Sequence, residues 1–107
     1  MTTTYLAKDH FNHAIQALAP GVTQTVTISG TSAATANALS KNTVVVRLLA
    51  TTACFINIGT GTPTANTTHM PIAANIPEYF RVNGYETIKV AGVQISAGGT
   101  LYVTEML

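Results

Sequence analysis

Val22-Thr23-Gln24-Thr25-Val26-Thr27-Ile28-Ser29 alternates along its whole length. Val22, Gln24, Val26 and Ile28 share one face, and Thr23, Thr25, Thr27 and Ser29 share the other. A period of two belongs to an extended strand, here with one face for burial and one face of hydroxyls. Downstream the same signal recurs in short stretches. Thr43 to Ala50 reads as a second strand, apolar on both faces and therefore central, and Ala53 to Ile58 as a third, after Thr51-Thr52. Gly59-Thr60-Gly61-Thr62-Pro63-Thr64 is a turn-rich loop that runs on through Thr68. His69 to Ala73, Glu78 to Val82, Glu86 to Ala91 and Thr100 to Met106 are further strands. Asn83-Gly84 predicts a hairpin between the second and third of these, and Ala97-Gly98-Gly99 predicts a turn. Residues 30–42 are small and polar and read as a loop, with a short helical turn around Ala33 to Leu39. Seven or eight short strands, with turns every 8–12 residues, make an all-β chain: a small antiparallel β-sandwich or barrel.

Upstream the period changes. Phe11, Ile15 and Leu18 stand at i, i+4 and i+7, Asp9 is placed to cap, and Pro20-Gly21 to stop. This predicts a short helix over 5–19. Three turns are marginal alone, so it packs on its own sheet or reaches a neighbouring subunit as an arm. The expected organisation is an N-terminal arm or short helix over 1–21 and one β-domain over 22–107. Tyr5, Leu6, Phe11, Ile15 and Leu18 are the candidate partner contacts.

Composition narrows the function. Of 107 residues only 8% are charged and 47% hydrophobic, with net charge +1; soluble proteins average about 25% charged. Five scattered basic residues make no phosphate-neutralising stripe, so nucleic acid is not expected as a partner. No run approaches 18 apolar residues and the N-terminus lacks the apolar stretch of a secretory signal, so neither a membrane span nor Sec export is expected. Nineteen threonines give a surface that is polar without charge. Monomers keep sheet edges soluble largely with charge, Lys above all. A chain this neutral is expected to bury much of its exterior in an assembly.

The residues that carry chemistry are sparse. Cys54 is the single cysteine, which excludes an intrachain disulfide and a Cys-rich zinc site; within Ala53-Cys54-Phe55-Ile56 it reads as a buried apolar side chain. His10 and His13, with His69 or Asp9, fall short of a convincing metal set. The acids are Asp9, Glu78, Glu86 and Glu105. If Asn83-Gly84 closes a hairpin, Arg81 faces Glu86 and Glu78 faces Lys89 in ion pairs. Arg47, inside an apolar strand, either pairs with Glu78, Glu86 or Glu105 or faces a partner. No serine lies in a nucleophile elbow, and Gly59-Thr60-Gly61 lacks the third glycine of a dinucleotide loop. Neither an enzyme nor a cofactor is expected. Tyr79, Tyr85 and Tyr102 are the aromatics a carbohydrate-binding module would use.

Val44-Val45-Val46-Arg47-Leu48-Leu49-Ala50-Thr51-Thr52-Ala53-Cys54-Phe55-Ile56-Asn57-Ile58-Gly59, a Thr/Pro/Ala loop, Met70-Pro71-Ile72-Ala73, Pro77-Glu78-Tyr79-Phe80-Arg81-Val82 and Ser96-Ala97-Gly98-Gly99-Thr100-Leu101-Tyr102-Val103-Thr104-Glu105-Met106 follow one another. The pattern resembles small virion structural proteins of tailed bacteriophages, many of them capsid decoration (cement) proteins. It covers about residues 43–107. The resemblance implies a β-sandwich or jelly-roll-like module on the capsid surface. It would be made in the host bacterial cytoplasm and would clamp neighbouring copies of the major capsid protein as a trimer or dimer. A tail, collar or head–tail accessory protein is the alternative within the virion.

Overall fold

The computed structural model describes residues 7–8, 14–15, 18–83 and 86–106. Its strands are β1 (Ala7–Lys8), β2 (Ala14–Ile15), β3 (Pro20–Ile28), β4 (Ala33–Ala34), β5 (Val45–Ala50), β6 (Cys54–Thr60), β7 (Met70–Ile72), β8 (Glu78–Arg81), β9 (Ile88–Gln94) and β10 (Gly99–Met106). Sheet I has the order β3-β10-β5-β8 and sheet II the order β4-β9-β6-β7, and every ladder in them is antiparallel. The pairings β3–β10, β4–β9, β5–β8 and β6–β7 are nested. The chain is thus one long hairpin, doubled back in the loop between β6 and β7 and then wrapped into two sheets. That is the strand order of a jelly roll, and it decides between the sandwich and the barrel in favour of a two-sheet sandwich.

Alternation fills the space between the sheets. Val26 and Ile28 of β3, Leu101 and Val103 of β10, and Val46, Leu48 and Ala50 of β5 point inward from sheet I. Cys54 and Ile56 of β6, Ile72 of β7, and Ile88 and Val90 of β9 meet them from sheet II. Leu48, Leu101 and Val103 have no exposed surface. Ile58 and Phe80 are partly buried against this core.

Several expectations need correction. The Asn83-Gly84 hairpin does not form as a ladder: β8 pairs with β5 in sheet I, whereas β9 pairs with β6 and β4 in sheet II. The turn carries the chain from one sheet to the other, with Glu86 N–H on the Asn83 carbonyl at 3.2 Å. Glu78 therefore stands opposite Leu48, and Lys89 opposite Gly59, not opposite each other. Burial across two sheets outweighed the local turn preference. Val22 does not join the core and is 59% exposed. The register changes from Thr104↔Thr23 to Met106↔Pro20, so Gly21 and Val22 together oppose Glu105 in a bulge that takes Val22 off the inward face.

In place of the helical turn near Ala33 to Leu39, Ala33-Ala34 forms edge strand β4 and the chain stays bonded to β9 on both sides of a bend at Ala36-Asn37. Thr35 N–H reaches the Val90 carbonyl at 2.9 Å, and Leu39 N–H the Ile88 carbonyl at 2.8 Å. Within the expected helix over 5–19, Ala7 pairs with Ile15 and Lys8 with Ala14 as short antiparallel strands. A three-turn helix is worth little without packing, and the short ladder replaces it at those positions. The rest of 1–17, including Tyr5, Leu6 and Phe11, lies outside the described residues. Leu18 is half-buried.

Candidate interaction surface

The outer face of sheet I follows from the ladder registers. Across it run the rows Thr23–Thr104–Arg47–Tyr79 and Thr25–Tyr102–Leu49, with Thr27 opposite Thr100. Thr23 and Thr104 share a hydroxyl hydrogen bond of 2.9 Å. Tyr79 is 53% exposed and Tyr102 40% exposed. Strand spacing and the two-residue offset set these rings' Cα atoms about 12 Å apart, with Arg47 and Leu49 on the strand between them. The face is hydroxylic and aromatic, with Arg47 at its middle and exposed Arg81, opposite Val45, on the same side of β8. Arg47 does not share a face with Glu105 or Glu78, since those stand opposite inward-facing Val46 and Leu48. Arg47 therefore pairs with neither Glu78 nor Glu105 across the sheet and points outward from β5.

The outer face of sheet II is covered by the chain's own loop. Pro63 packs over Gly59, where an added Cβ would lie 3.3 Å from the Pro63 Cβ. Asn57 Nδ2 donates to the Thr64 carbonyl at 3.0 Å, and Ala65 N–H donates to Ser32 Oγ at 2.8 Å. Asn57 is on β6, and Ser32 precedes edge strand β4. The loop therefore crosses β9 above Ala91, which has no exposed surface. Among the described residues, sheet I is the one with an open broad face.

Beside the loop is a shallow cleft of about 440 Å³, lined among others by Ser32, Thr64, Asn66, Thr67, Gln94 and Ile95. It carries amides and hydroxyls and no acid, histidine or cysteine, so it holds no proton-transfer pair. His69 Nδ1 accepts the Asn66 N–H at 3.0 Å, a loop-internal use. Among the described residues no group of three His, Cys, Asp or Glu is placed to hold a metal. His10 and His13 lie outside those residues. Cys54 is buried and free, and desolvation pushes its thiol up to about 11, which keeps it protonated near neutral pH.

Glu105 is the one acid among the described residues that is fully buried, at 4% exposure. Its Oε1 accepts the Ser40 N–H at 2.8 Å, and the buried Thr43 hydroxyl donates to the same oxygen. The carboxylate thereby anchors the 40–43 turn to the end of sheet I. Its inward parity, two residues beyond Val103, was readable in the sequence; its partners were not, because they come from 62 and 65 residues away. Of the aromatics a carbohydrate-binding module would use, Tyr79 and Tyr102 both lie on sheet I. Tyr85 lies outside the described residues. The chain matches no known protein family, no curated protein and no solved structure.

Proposed function

We propose that this chain is a structural protein of a tailed-phage virion, in the manner of a capsid decoration (cement) protein. In this reading it sits on the outer head surface, clamps neighbouring major-capsid subunits, and works as a homo-oligomer without cofactor or catalysis. The observation that carries the reading is the open face of sheet I. Thr23, Thr25, Thr27, Thr100, Tyr102 and Tyr79 present a hydroxylic and aromatic surface free of acids, with Arg47 half-buried in it, Arg81 exposed at its side and Thr104 buried between Thr23 and Arg47. Aromatics and Arg are the side chains that anchor protein–protein contacts, and Lys, Glu and Asp are depleted there. The jelly-roll strand order agrees with the sequence pattern over 43–107, although that fold hosts many functions. Many copies on a symmetric shell would turn weak single contacts into strong attachment.

The test is direct. Purified protein is mixed with expanded capsids that lack it, and bound copies are counted after sedimentation. The heat release of packaged DNA is then followed with and without it. Binding and a higher release temperature are expected. No binding, with unchanged heat release, overturns the reading.

A further inference from the structure

A jelly roll leaves four sheet edges, and unpaired edges invite another strand unless something blunts them. Three of the four are blunted here. β4 has two residues, β7 has three with Pro71 in the middle, and β8 has four of which Glu78 and Arg81 are charged. β3 is different. It has nine residues, its proline is the first of them, and it carries no charge. No Lys, Arg, Asp or Glu occurs anywhere between Asp9 and Lys41. The bulge at Gly21 and Val22 disturbs only its start, and Thr23 to Ile28 runs in unbroken register with β10.

Thr51 N–H bonds the Thr100 carbonyl at 2.9 Å, so the Thr100 backbone points toward β5. In an antiparallel ladder alternate residues point alternate ways. The backbones of Leu101 and Val103 therefore point toward β3, where they oppose Val26 and Gln24. Thr23, Thr25 and Thr27 are left with their N–H and C=O groups directed away from the sheet.

We propose that this edge is a self-association site, at which β3 of a second copy pairs antiparallel about a two-fold axis through Thr25. That register matches donors to acceptors: Thr25 meets Thr25 of the other copy, and Thr23 meets Thr27 in both directions. Each of these is a hydrogen-bonded pair, so six main-chain bonds form. Threonine hydroxyls meet threonine hydroxyls on the outer face, a favourable cross-strand pair, and no like charges approach. The occupant is a second copy because the edge is complementary to itself in both hydrogen bonding and neutrality. The virion reading also calls for a homo-oligomer, but the edge argument does not rest on it; a chain that dimerises through β3 and ignores capsids would refute that reading alone.

The test uses the full chain in sedimentation equilibrium at low salt. Thr25→Pro removes an N–H that the chain's own sheet does not use, and blocks the approaching strand. It is expected to weaken the dimer ~30-fold or more through two lost bonds per pair, with unfolding of the isolated monomer little changed. Thr25→Lys and Thr25→Glu place like charges at the axis, and each weakens self-association about fivefold. An equimolar mixture of those two variants recovers it. A wild-type chain that stays monomeric at millimolar concentration overturns the proposal. So does an oligomer indifferent to all three variants, or a mixture of the Lys and Glu forms that fails to recover.

Discussion

Replacing Glu105 by alanine takes away the acceptor that the Ser40 amide and the Thr43 hydroxyl share. Thr43 has no exposed surface, so its hydroxyl finds no water in exchange. A donor to a charged acceptor contributes roughly 1.5–3 kcal/mol, and a stranded buried donor costs about as much. Ser40 is exposed, and water takes over part of its bond, leaving a share of about 1 kcal/mol. Against these losses stands the relief of no longer holding a carboxylate out of water. The balance is a destabilisation of about 3 kcal/mol, or roughly 12 °C in Tm for a chain of this size. Glu105→Gln keeps a carbonyl acceptor in place and should cost about 1 kcal/mol. The assay is urea unfolding of the wild type, Glu105→Ala, Thr43→Val and the double variant. The two sites share one hydrogen bond, so the cycle should show a coupling of about 1–2 kcal/mol. A Glu105→Ala protein within about 0.5 kcal/mol of wild type, or a cycle with no coupling, would refute the anchoring role.

Leu48→Ala, at an unexposed inward position of β5, should cost about 3 kcal/mol in the same unfolding measurement, through lost burial and a cavity between the sheets. Cys54 should resist thiol reagents at pH 8 while folded and react at once in denaturant. Its thiol is raised from 9.0 to about 11 by burial, so the folded chain keeps a proton that the unfolded chain gives up. Stability is complete below pH 9 and falls between pH 9 and 11, by at most about 3 kcal/mol; comparing wild type with Cys54→Ala isolates that slope. Gly98→Ala should destabilise by about 1–2 kcal/mol, because its Cβ would lie 2.9 Å from the Ile28 carbonyl oxygen at the turn joining β9 to β10. Thermal unfolding reads that loss.

What the sequence made legible is what alternation controls. β3, β5, β6 and β10 fall within two residues of where period and turn residues place them, and Val26, Ile28, Leu48, Leu101 and Val103 are inward as their parity requires. Pairing was legible only in part. Asn83-Gly84 is a strong local signal for a hairpin, yet the strands on either side of it belong to different sheets. Local turn chemistry fixes the turn, while the sheet each strand joins is decided by burial against residues far along the chain. β4 is not legible in the sequence for a related reason. Ala33-Ala34 has little strand propensity and is held by Gly92 and Ala91 of β9, a context no short window contains. The open face of sheet I was half visible. The Thr23, Thr25, Thr27 series declares itself, but that Tyr102 and Arg47 join it depends on which strands flank β10.

The surface chemistry divides along the same topology. Sheet II spends its outer face on its own loop, and the contacts at Asn57, Gly59 and Ser32 use small or amide side chains to bring that loop close. Sheet I has no such cover among the described residues, and its exposed β3 edge adjoins its exposed face. Two separable surfaces follow: a broad hydroxylic face and a narrow edge. A clamp between capsid subunits needs the face, whereas joining two copies needs only the edge. Thr25→Pro should therefore leave a monomer that still binds expanded capsids at saturating concentration, with a lower apparent affinity because the second point of attachment is gone. Tyr79→Ala combined with Tyr102→Ala should do the reverse, abolishing capsid binding while the dimer persists. If the Pro variant alone abolished binding at every concentration, face and edge would be one site, with no division of labour between them.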